Sequence, residues 1–500
     1  MDTLGFLING ILTALEPGNL FFAFIGCLLG TVIGVLPGIG PAAGIAILIP
    51  VTANMEPTGA IIMLAAIYYG VMYGGTITSV LINTPGEAAS AVTCIDGYEM
   101  ARRGRAGAAL SIAAIGSFIG GTIATLGLVF LALPLTRLAL AFGPPEVFAL
   151  LIFGMSLVTG LAGNSVVRAL IAAVIGMLIS QVGIDPVLGA PRFTFGSVQL
   201  LNGFDVVPVV MGLFGISEIM LSVEKRVRET FTSDVNLVQL TKEDMRQSAG
   251  PIARGTVVGF VLGLIPGIGT IVPTFLSYAF ERKLSKTPER FGRGAIEGVA
   301  GPETANNASA SASLIPLFTL GIPGSAVTAI LMGAFMVKGL TPGPALFVEK
   351  PEFVWAVIGS MLVGNLILLV LNLPFIPLWV RILKVPPSVM TALILGFCII
   401  GAYSLRNSTF DIGVMTSFGI VGYLFVKLKI PTAPMVLTLV LTPLTEAALR
   451  QSLEMSRGAF SIFVTNPLSL GLLLAAAASV IFSAFQSTRT VKVKEAGGEI

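Results

Sequence analysis

The chain has 500 residues, of which 55% are hydrophobic and only 11% carry a charge, with a formal net charge of +3 and no histidine. Soluble proteins carry about 25% charged residues, so the composition excludes an ordinary soluble domain. With a mean hydropathy of +0.93, it predicts an all-α polytopic membrane protein.

Apolar runs of about 18 or more residues predict membrane spans. In chain order, the clearest runs occupy residues 20–36, 107–133, 145–162, 166–184, 204–222, 353–375, 388–405 and 459–485. Segments interrupted by glycine and proline add further candidates, so we expect roughly 10 to 14 membrane segments. Basic clusters around residues 102–105, 222–250 and 282–293 are expected in the cytoplasm, because Lys and Arg in short loops set orientation.

Two apolar runs that end in Pro-Gly-Ile-Gly indicate an internal repeat. GTVIGVLPGIGP at residues 30–41 aligns with GFVLGLIPGIGT at 259–270, at an offset of 229 residues. INTPGEAASAV at 82–92 then aligns with LGIPGSAVTAI at 320–330, at an offset of 238. Leu-Pro, Pro-Pro and Asn-Ser pairs recur afterwards in the same order. Doubled Gly/Pro-interrupted segments are typical of secondary transporters.

The repeat divides the chain into four parts. We predict a first membrane repeat at 1–222, a cytoplasmic polar linker at 223–250, a second membrane repeat at 251–450, and an extra C-terminal span and tail at 451–500. Whether the repeats are parallel or inverted depends on the number of crossings in each. Segments 37–52 and 266–280 could be re-entrant or spanning, which decides that number, and we expect inverted repeats.

The first pair of motifs predicts a helix that breaks inside the membrane. Proline removes a helical hydrogen bond and the glycines that follow permit non-helical dihedrals. The helix that resumes would direct free N–H groups and a partial positive charge at the break, which is an anion site. The alternative is a kinked helix that packs through its GxxxG face. The candidate binding residues are Gly38, Gly40, Pro41, Gly267, Gly269 and Thr270.

The second pair of motifs places Pro-Gly between an apolar run and small polar residues. Hydroxyls and amide dipoles at such a break could coordinate a carboxylate or a sodium ion. The alternative is a loop outside the membrane, since charged residues follow soon after the first copy. The candidate binding residues are Asn83, Thr84, Pro85, Gly86, Thr319, Pro323, Gly324 and Ser325.

The stretch GPETANNASASAS at residues 301–313 is the most polar one that resembles an intramembrane segment. Its small hydroxyl side chains suit a helix that lines a water-filled path, and Asn307, Ser309 and Ser311 are the candidate lining residues. Glu303 is a possible charged intramembrane residue, and such carboxylates are functional candidates. The alternative is a polar loop after the basic cluster at 282–293.

Several sequence features argue against an enzyme. The missing histidine excludes histidine-based nucleophile pairs, metal sites and proton relays. The chain has no GxxxxGK[ST] phosphate loop and no GxSxG elbow, which disfavours ATP hydrolysis and a membrane-embedded hydrolase. Cys27, Cys94 and Cys398 lack metal or redox spacing. We therefore expect no catalytic residues, no metal site and no cofactor.

The paired PGIG motifs, GPETANNASA and FTLGIPGS resemble the large membrane subunit of the tripartite tricarboxylate transporter family, the TctA type, over nearly the whole chain. That resemblance implies a multi-pass permease of the bacterial inner membrane that takes up di- and tricarboxylates or related organic anions by symport with Na⁺ or H⁺. It implies two protein partners, a small four-span membrane subunit and a periplasmic solute-binding protein. Beyond these we expect contacts with the carboxylate and membrane lipid, and none with nucleic acid. By resemblance, the binding elements are Gly38 to Pro41, Thr84 to Gly86, Gly267 to Thr270 and Pro323 to Ser325.

The predicted breaks contain no arginine or lysine, although a citrate-like anion carries several negative charges. Backbone N–H groups, hydroxyls, asparagines and co-bound cations would have to neutralise it, which favours cation coupling. The alternatives are a passive anion channel and a stand-alone carrier that needs no binding protein.

Overall fold

The computed structural model describes residues 3–36, 39–157, 165–185, 189–225, 240–382 and 387–495. Helices α1 to α10 run over Thr3–Ala14, Pro17–Gly34, Gly40–Leu48, Pro57–Ile82, Ala91–Arg102, Ala106–Leu140, Pro144–Leu157, Val166–Ser180, Val206–Val210 and Ser217–Lys225. Helices α11 to α23 run over Lys242–Gly263, Ile271–Leu284, Glu297–Ala312, Leu314–Leu320, Ala326–Val337, Pro344–Glu349, Pro351–Asn372, Ile376–Ile382, Pro387–Arg406, Thr409–Lys427, Ala433–Met455, Ile462–Thr465 and Pro467–Glu495.

Short elements complete the described chain. A π-helical turn, Met211–Ile216, joins α9 to α10, and 3₁₀ turns occupy Ile49–Thr52, Val198–Leu200 and Pro288–Arg290. The strands β1, Gly183–Ile184, and β2, Pro191–Arg192, pair antiparallel with Gly183 opposite Arg192. The sheet is confined to one connection, so the all-α prediction is confirmed.

Six described helical segments are long and apolar enough to cross a membrane: Pro17–Gly34, Pro57–Ile82, Ala106–Leu140, Val206–Glu224, Pro351–Asn372 and Thr409–Lys427. Shorter apolar helices lie between them, so the chain is a multi-pass membrane protein, while the number of crossings stays a prediction. The C-terminal helix α23 begins at Pro467 rather than near residue 459. Helix α11 begins at Lys242, inside the predicted linker, after a capping box between Thr241 and Asp244.

Helix α4 lies at the centre of the molecule. It has no charged residue, and its most apolar 18-residue window is 100% buried within the protein. Helix α2 packs along it through glycines. A Cβ added at Gly30 would lie 2.4 Å from the Ile67 carbonyl oxygen, and one at Gly34 would lie 2.4 Å from that of Val71. The two backbones therefore touch, as small-residue interfaces in membranes permit.

The second half repeats this contact. Helix α11 packs on α13, and a Cβ at Gly259 would lie 2.4 Å from the Ala305 carbonyl oxygen. At Gly263 it would lie 2.7 Å from the Ser309 Cα. Equivalent glycines in the two motifs thus make equivalent helix contacts. The inverted orientation of the repeats stays a prediction.

The two halves interlock through exchanged helices. Helix α6 of the first half packs on α13 of the second, and α17 of the second packs on α4 of the first. A Cβ at Gly116 on α6 would lie 2.4 Å from the Thr304 Oγ1. The Tyr73 hydroxyl on α4 donates to Asn365 Oδ1 on α17 at 2.7 Å. The polar α13 is therefore enclosed by helices from both halves.

Candidate functional site

The PGIG motifs separate consecutive helices in both halves. Helix α2 ends at Gly34 and α3 begins at Gly40, while α11 ends at Gly263 and α12 begins at Ile271. Gly40, Gly267 and Gly269 have φ of +62°, +86° and +65°, in the left-handed region that glycine tolerates.

In both halves the helix ends before the motif and a new helix begins after it. The alternative interpretation, a continuous helix with a kink, is therefore wrong. The GxxxG packing on which that alternative depended is nevertheless present upstream. Gly40, Pro41, Gly269 and Thr270 are half-buried and Gly267 is buried. Gly38 lies outside the described residues.

The structure brings the two breaks of each half together. In the second half, the Gly267 N–H donates to the Gly324 carbonyl oxygen at 2.9 Å. In the first half, a Cβ at Gly86 would lie 2.4 Å from the Gly34 carbonyl oxygen and 2.5 Å from the Gly75 Cα. The four helix interruptions therefore meet in two pairs, one in each half, and each pair is joined by a close contact between backbone atoms.

The second breaks are helix ends with defined caps. Asn83 ends α4 in the left-handed region with φ of 54°, and Gly321 ends α14 with φ of 71°. Ser325 caps α15 reciprocally with Thr328: the Thr328 N–H donates to Ser325 Oγ at 3.2 Å and the Ser325 N–H donates to Thr328 Oγ1 at 2.8 Å. The Ser325 hydroxyl is thus already used by the backbone.

The break after α4 is not simply a loop on the outside of the protein. Asn83 is exposed and Thr84 and Pro85 are half-buried, but Gly86 is buried. In the second half, Thr319, Pro323, Gly324 and Ser325 are all buried. The chain enters the protein interior directly after Pro85.

The GPETANNASASAS stretch forms the buried helix α13, so the alternative of a connecting loop is wrong. Glu303 is only 1% exposed. Asn307 Nδ2 donates across to Ser117 Oγ on α6 at 2.7 Å. The hydroxyls of Ser309 and Thr319 instead donate to carbonyl oxygens of their own helices, at 2.9 and 2.7 Å. Ser311 is buried on the same helix.

The Glu303 carboxylate joins α13 to two helices of the first half. Its Oε2 accepts a hydrogen bond from Thr76 Oγ1 on α4 at 2.8 Å. Its Oε1 accepts one from Thr93 Oγ1 on α5. A second buried carboxylate, Glu87, accepts a hydrogen bond from Asn306 Nδ2, one turn along α13. Both acids therefore bridge the two halves.

Four members of this cluster were absent from the predicted binding residues: Glu87, Asn306, Thr76 and Thr93. Glu87 and Asn306 are part of the sequence motifs from which the site was predicted. They could have been identified as polar residues in segments expected to lie inside the membrane. Thr76 lies shortly before the TPG break. No local sequence feature indicated Thr93, because it contacts Glu303 across a separation of 210 residues in the sequence.

The charge environment of these two acids differs from that of the other buried acids. Within the described chain, the buried carboxylates are Glu87, Asp96, Asp185, Asp244, Glu281, Glu303 and Asp411. Four of them form ion pairs with Arg450, Arg105, Arg254 and Arg406, at 2.8, 2.6, 2.6 and 2.5 Å. Asp96 accepts three backbone N–H groups and the Tyr278 hydroxyl. The bonds described for Glu87 and Glu303 come from one amide and two hydroxyls, all neutral.

One small cavity adjoins these elements, and a larger cavity lies elsewhere in the protein. A space of about 10 Å³ adjoins Thr76 and is also lined by Tyr73, Ser117 and Asn372. A larger cavity of about 470 Å³ lies between the ends of α8 and α21, with Arg192, Glu446 and Arg450 in its wall. None of the predicted binding residues that the structure describes lines the larger cavity.

Comparisons with known proteins bear on the whole chain. The family model described as "Tripartite tricarboxylate transporter TctA family" matches residues 20–437. The chain is similar to an "Uncharacterized 52.8 kDa protein in TAR-I ttuC' 3'region" of Agrobacterium vitis, with 47% identity over 99% of both chains. It is also similar to an "Uncharacterized protein in TAR-II ttuC' 3'region" of the same organism, with 46% identity over 46% of this chain and 96% of that protein. No solved structure matches.

Proposed function

Because the chain belongs to the tripartite tricarboxylate transporter TctA family, we propose that it is the large permease subunit of a binding-protein-dependent secondary transporter. Its substrates are tricarboxylates, dicarboxylates or related organic anions, taken up by symport across the bacterial inner membrane. Its partners are a small membrane subunit and a periplasmic solute-binding protein. The observation that supports this proposal best is the meeting of four helix interruptions in two backbone contacts, Gly267 with Gly324 and Gly34 with Gly86.

The helix interruptions suit recognition of an anion. Helices α3 and α12 start at Gly40 and Ile271, and the N–H groups of a first helical turn lack intrahelical partners. These groups and the helix dipole favour a carboxylate. Half-buried residues around both starts allow a ligand to approach. The anion would then be held by backbone dipoles at the place where broken helices are expected in transporters.

Charge balance supports coupling to a cation. Four buried Asp or Glu residues form ion pairs with Arg105, Arg254, Arg406 and Arg450, so each of these arginines already balances a negative charge. Glu87 and Glu303 are buried in the protein interior outside these ion pairs, and each adds negative charge there when it is ionised. A carboxylate substrate entering there requires compensating positive charge, because isolated charges are costly in a low-dielectric medium. Co-transported Na⁺ or H⁺ supplies that charge.

Reconstitution tests the proposal. Proteoliposomes containing the chain, its small membrane subunit and the binding protein should accumulate radiolabelled citrate or succinate against its gradient only when a sodium or proton gradient is imposed. Equilibration without accumulation would identify a passive channel. Accumulation by the chain alone, with free substrate, would identify a stand-alone carrier. Failure to move any di- or tricarboxylate under either gradient would refute the proposed function.

A further inference from the structure

We propose that Glu303 and Glu87 together form the site that binds the coupling cation, a proton or a sodium ion, during transport. This inference rests on the proposed function, because it assigns the coupling step to named side chains. The two carboxylates lie on different elements, α13 and the loop between α4 and α5. Asn306, on the turn that follows Glu303, connects them by donating to Glu87.

The first observation is the neutral surroundings of the pair. Helices α4, α14 and α15 carry no charged residue. On α12, Glu281 forms an ion pair with Arg254 of α11. On α5, Asp96 is held by backbone N–H groups and Tyr278. The basic Arg102 of α5 and Arg137 of α6 lie at the far ends of their helices. Within the described part of the chain, the hydrogen bonds to the pair come from neutral groups, so a bound cation would compensate its charge.

The second observation is an unpartnered acceptor beside the pair. Asn306 is 0% exposed, and its side-chain oxygen Oδ1 has no hydrogen-bond partner among the residues that the structure describes. The amide nitrogen of the same group donates to Glu87, so Oδ1 belongs to the side chain that contacts that carboxylate. Buried acceptors are almost always satisfied. A cation held by Glu87, or a proton on that carboxylate, would supply the missing partner.

A third observation concerns access to Glu303. Thr76, which donates to Glu303, also lines the space of about 10 Å³ between α4, α6 and the end of α17. That volume is about what one water molecule needs. Asn372 lines it too, and its Oδ1 is a further buried acceptor without a described partner. A water-sized space with several polar groups in its wall therefore adjoins the Thr76 hydroxyl that donates to the carboxylate.

The geometry gives a physical reason for coupling. With both carboxylates ionised, the interior repels an incoming anion, and with a cation bound it does not. Anion and cation therefore raise each other's affinity, and this coupling is reciprocal. The hydroxyls of Thr76 and Thr93 tie α13 to the first half, so charge at Glu303 also affects the contact between the halves.

The variants E303Q and E87Q test this site in proteoliposomes that contain the full complex. Glutamine imitates the neutral, cation-loaded side chain. Gradient-driven accumulation of labelled citrate or succinate should fall by about 5- to 150-fold, the usual range of coupling between sites. Exchange of internal for external substrate should persist, because it needs no net cation movement. E352Q, at an exposed position on α17, is the matched control and should behave as wild type.

Two outcomes would overturn the inference. Accumulation at wild-type level in both variants would exclude the pair as the coupling site. Loss of exchange together with accumulation, in variants that keep the wild-type melting temperature, would instead assign the carboxylates to the anion path.

A substrate-free measurement separates this inference from the proposed function. Infrared difference spectra of the purified full-length chain would be recorded after a pH jump without sodium, and after a sodium jump at constant pH. The chain has 26 Asp and Glu residues, so the informative signal is a carboxyl band that is present in the wild type and absent from E303Q or E87Q. Such a band in the first arm identifies a proton site, and one in the second identifies a sodium site. No signal in either arm, or one unchanged in both variants, contradicts the site even if wild type transports carboxylates. Failure of wild-type transport alone would refute only the proposed function.

Discussion

Replacing Gly86 with alanine should separate the two breaks of the first half. An added Cβ would lie 2.4 Å from the Gly34 carbonyl oxygen and 2.5 Å from the Gly75 Cα, whereas ordinary contacts begin near 3.4 Å. Both neighbours are backbone atoms, so relief requires one segment to move by about 1 Å. Overpacking of this kind costs about 1–3 kcal/mol. If the contact belongs to the transport-competent state, its population falls by about 5- to 150-fold.

Initial uptake at sub-saturating substrate would measure that loss, alongside membrane insertion and the melting temperature of the purified chain. Gly413→Ala is the matched control, because that glycine is exposed on α20 and a Cβ there would meet nothing within 4 Å. Uptake by Gly86→Ala equal to that by Gly413→Ala would refute the reasoning. It would mean that transport does not require the breaks to touch.

Three further substitutions test separate features. Gly267→Ala places a side chain at φ +86°, which costs about 1–2 kcal/mol, so uptake should fall by about 5- to 30-fold; unchanged uptake would show that this backbone conformation is dispensable. Asp96→Asn weakens the acceptor of three backbone N–H groups and should destabilise the protein by about 1–3 kcal/mol in thermal unfolding. Glu99→Gln on the same helix should have no such effect. Lys338→Met removes an ammonium group that donates to three carbonyl oxygens at 2.6 to 2.8 Å. We expect a loss of about 1.5–3 kcal/mol, and an unaltered melting temperature would contradict it.

Local sequence features predicted the helix interruptions well. Proline and consecutive glycines act on the backbone at their own positions, so the ends of α2 and α11 could be expected near Gly34 and Gly263. The recurrence of both motifs also indicated which segments correspond between the halves. Such features depend on a few neighbouring residues, and tertiary context did not override them.

The carboxylate cluster could not be predicted in the same way. Glu303 meets Thr76 and Thr93 across separations of 227 and 210 residues, and no local pattern records such a contact. Helix α4 was absent from the clearest predicted spans for a related reason. Its hydropathy is 1.6, against 2.1 for α6 and 2.4 for α17, and it faces protein on every side. A helix that does not meet lipid has less need of apolar side chains.

The exchange of helices between halves has a consequence for biosynthesis. During co-translational insertion, α4 and α6 enter the membrane long before α13 and α17 are made. Until then Tyr73 and Thr76 lack Asn365 and Glu303, their eventual partners. A nascent first half therefore lacks these polar contacts, which lipid cannot replace, until α17 has been made.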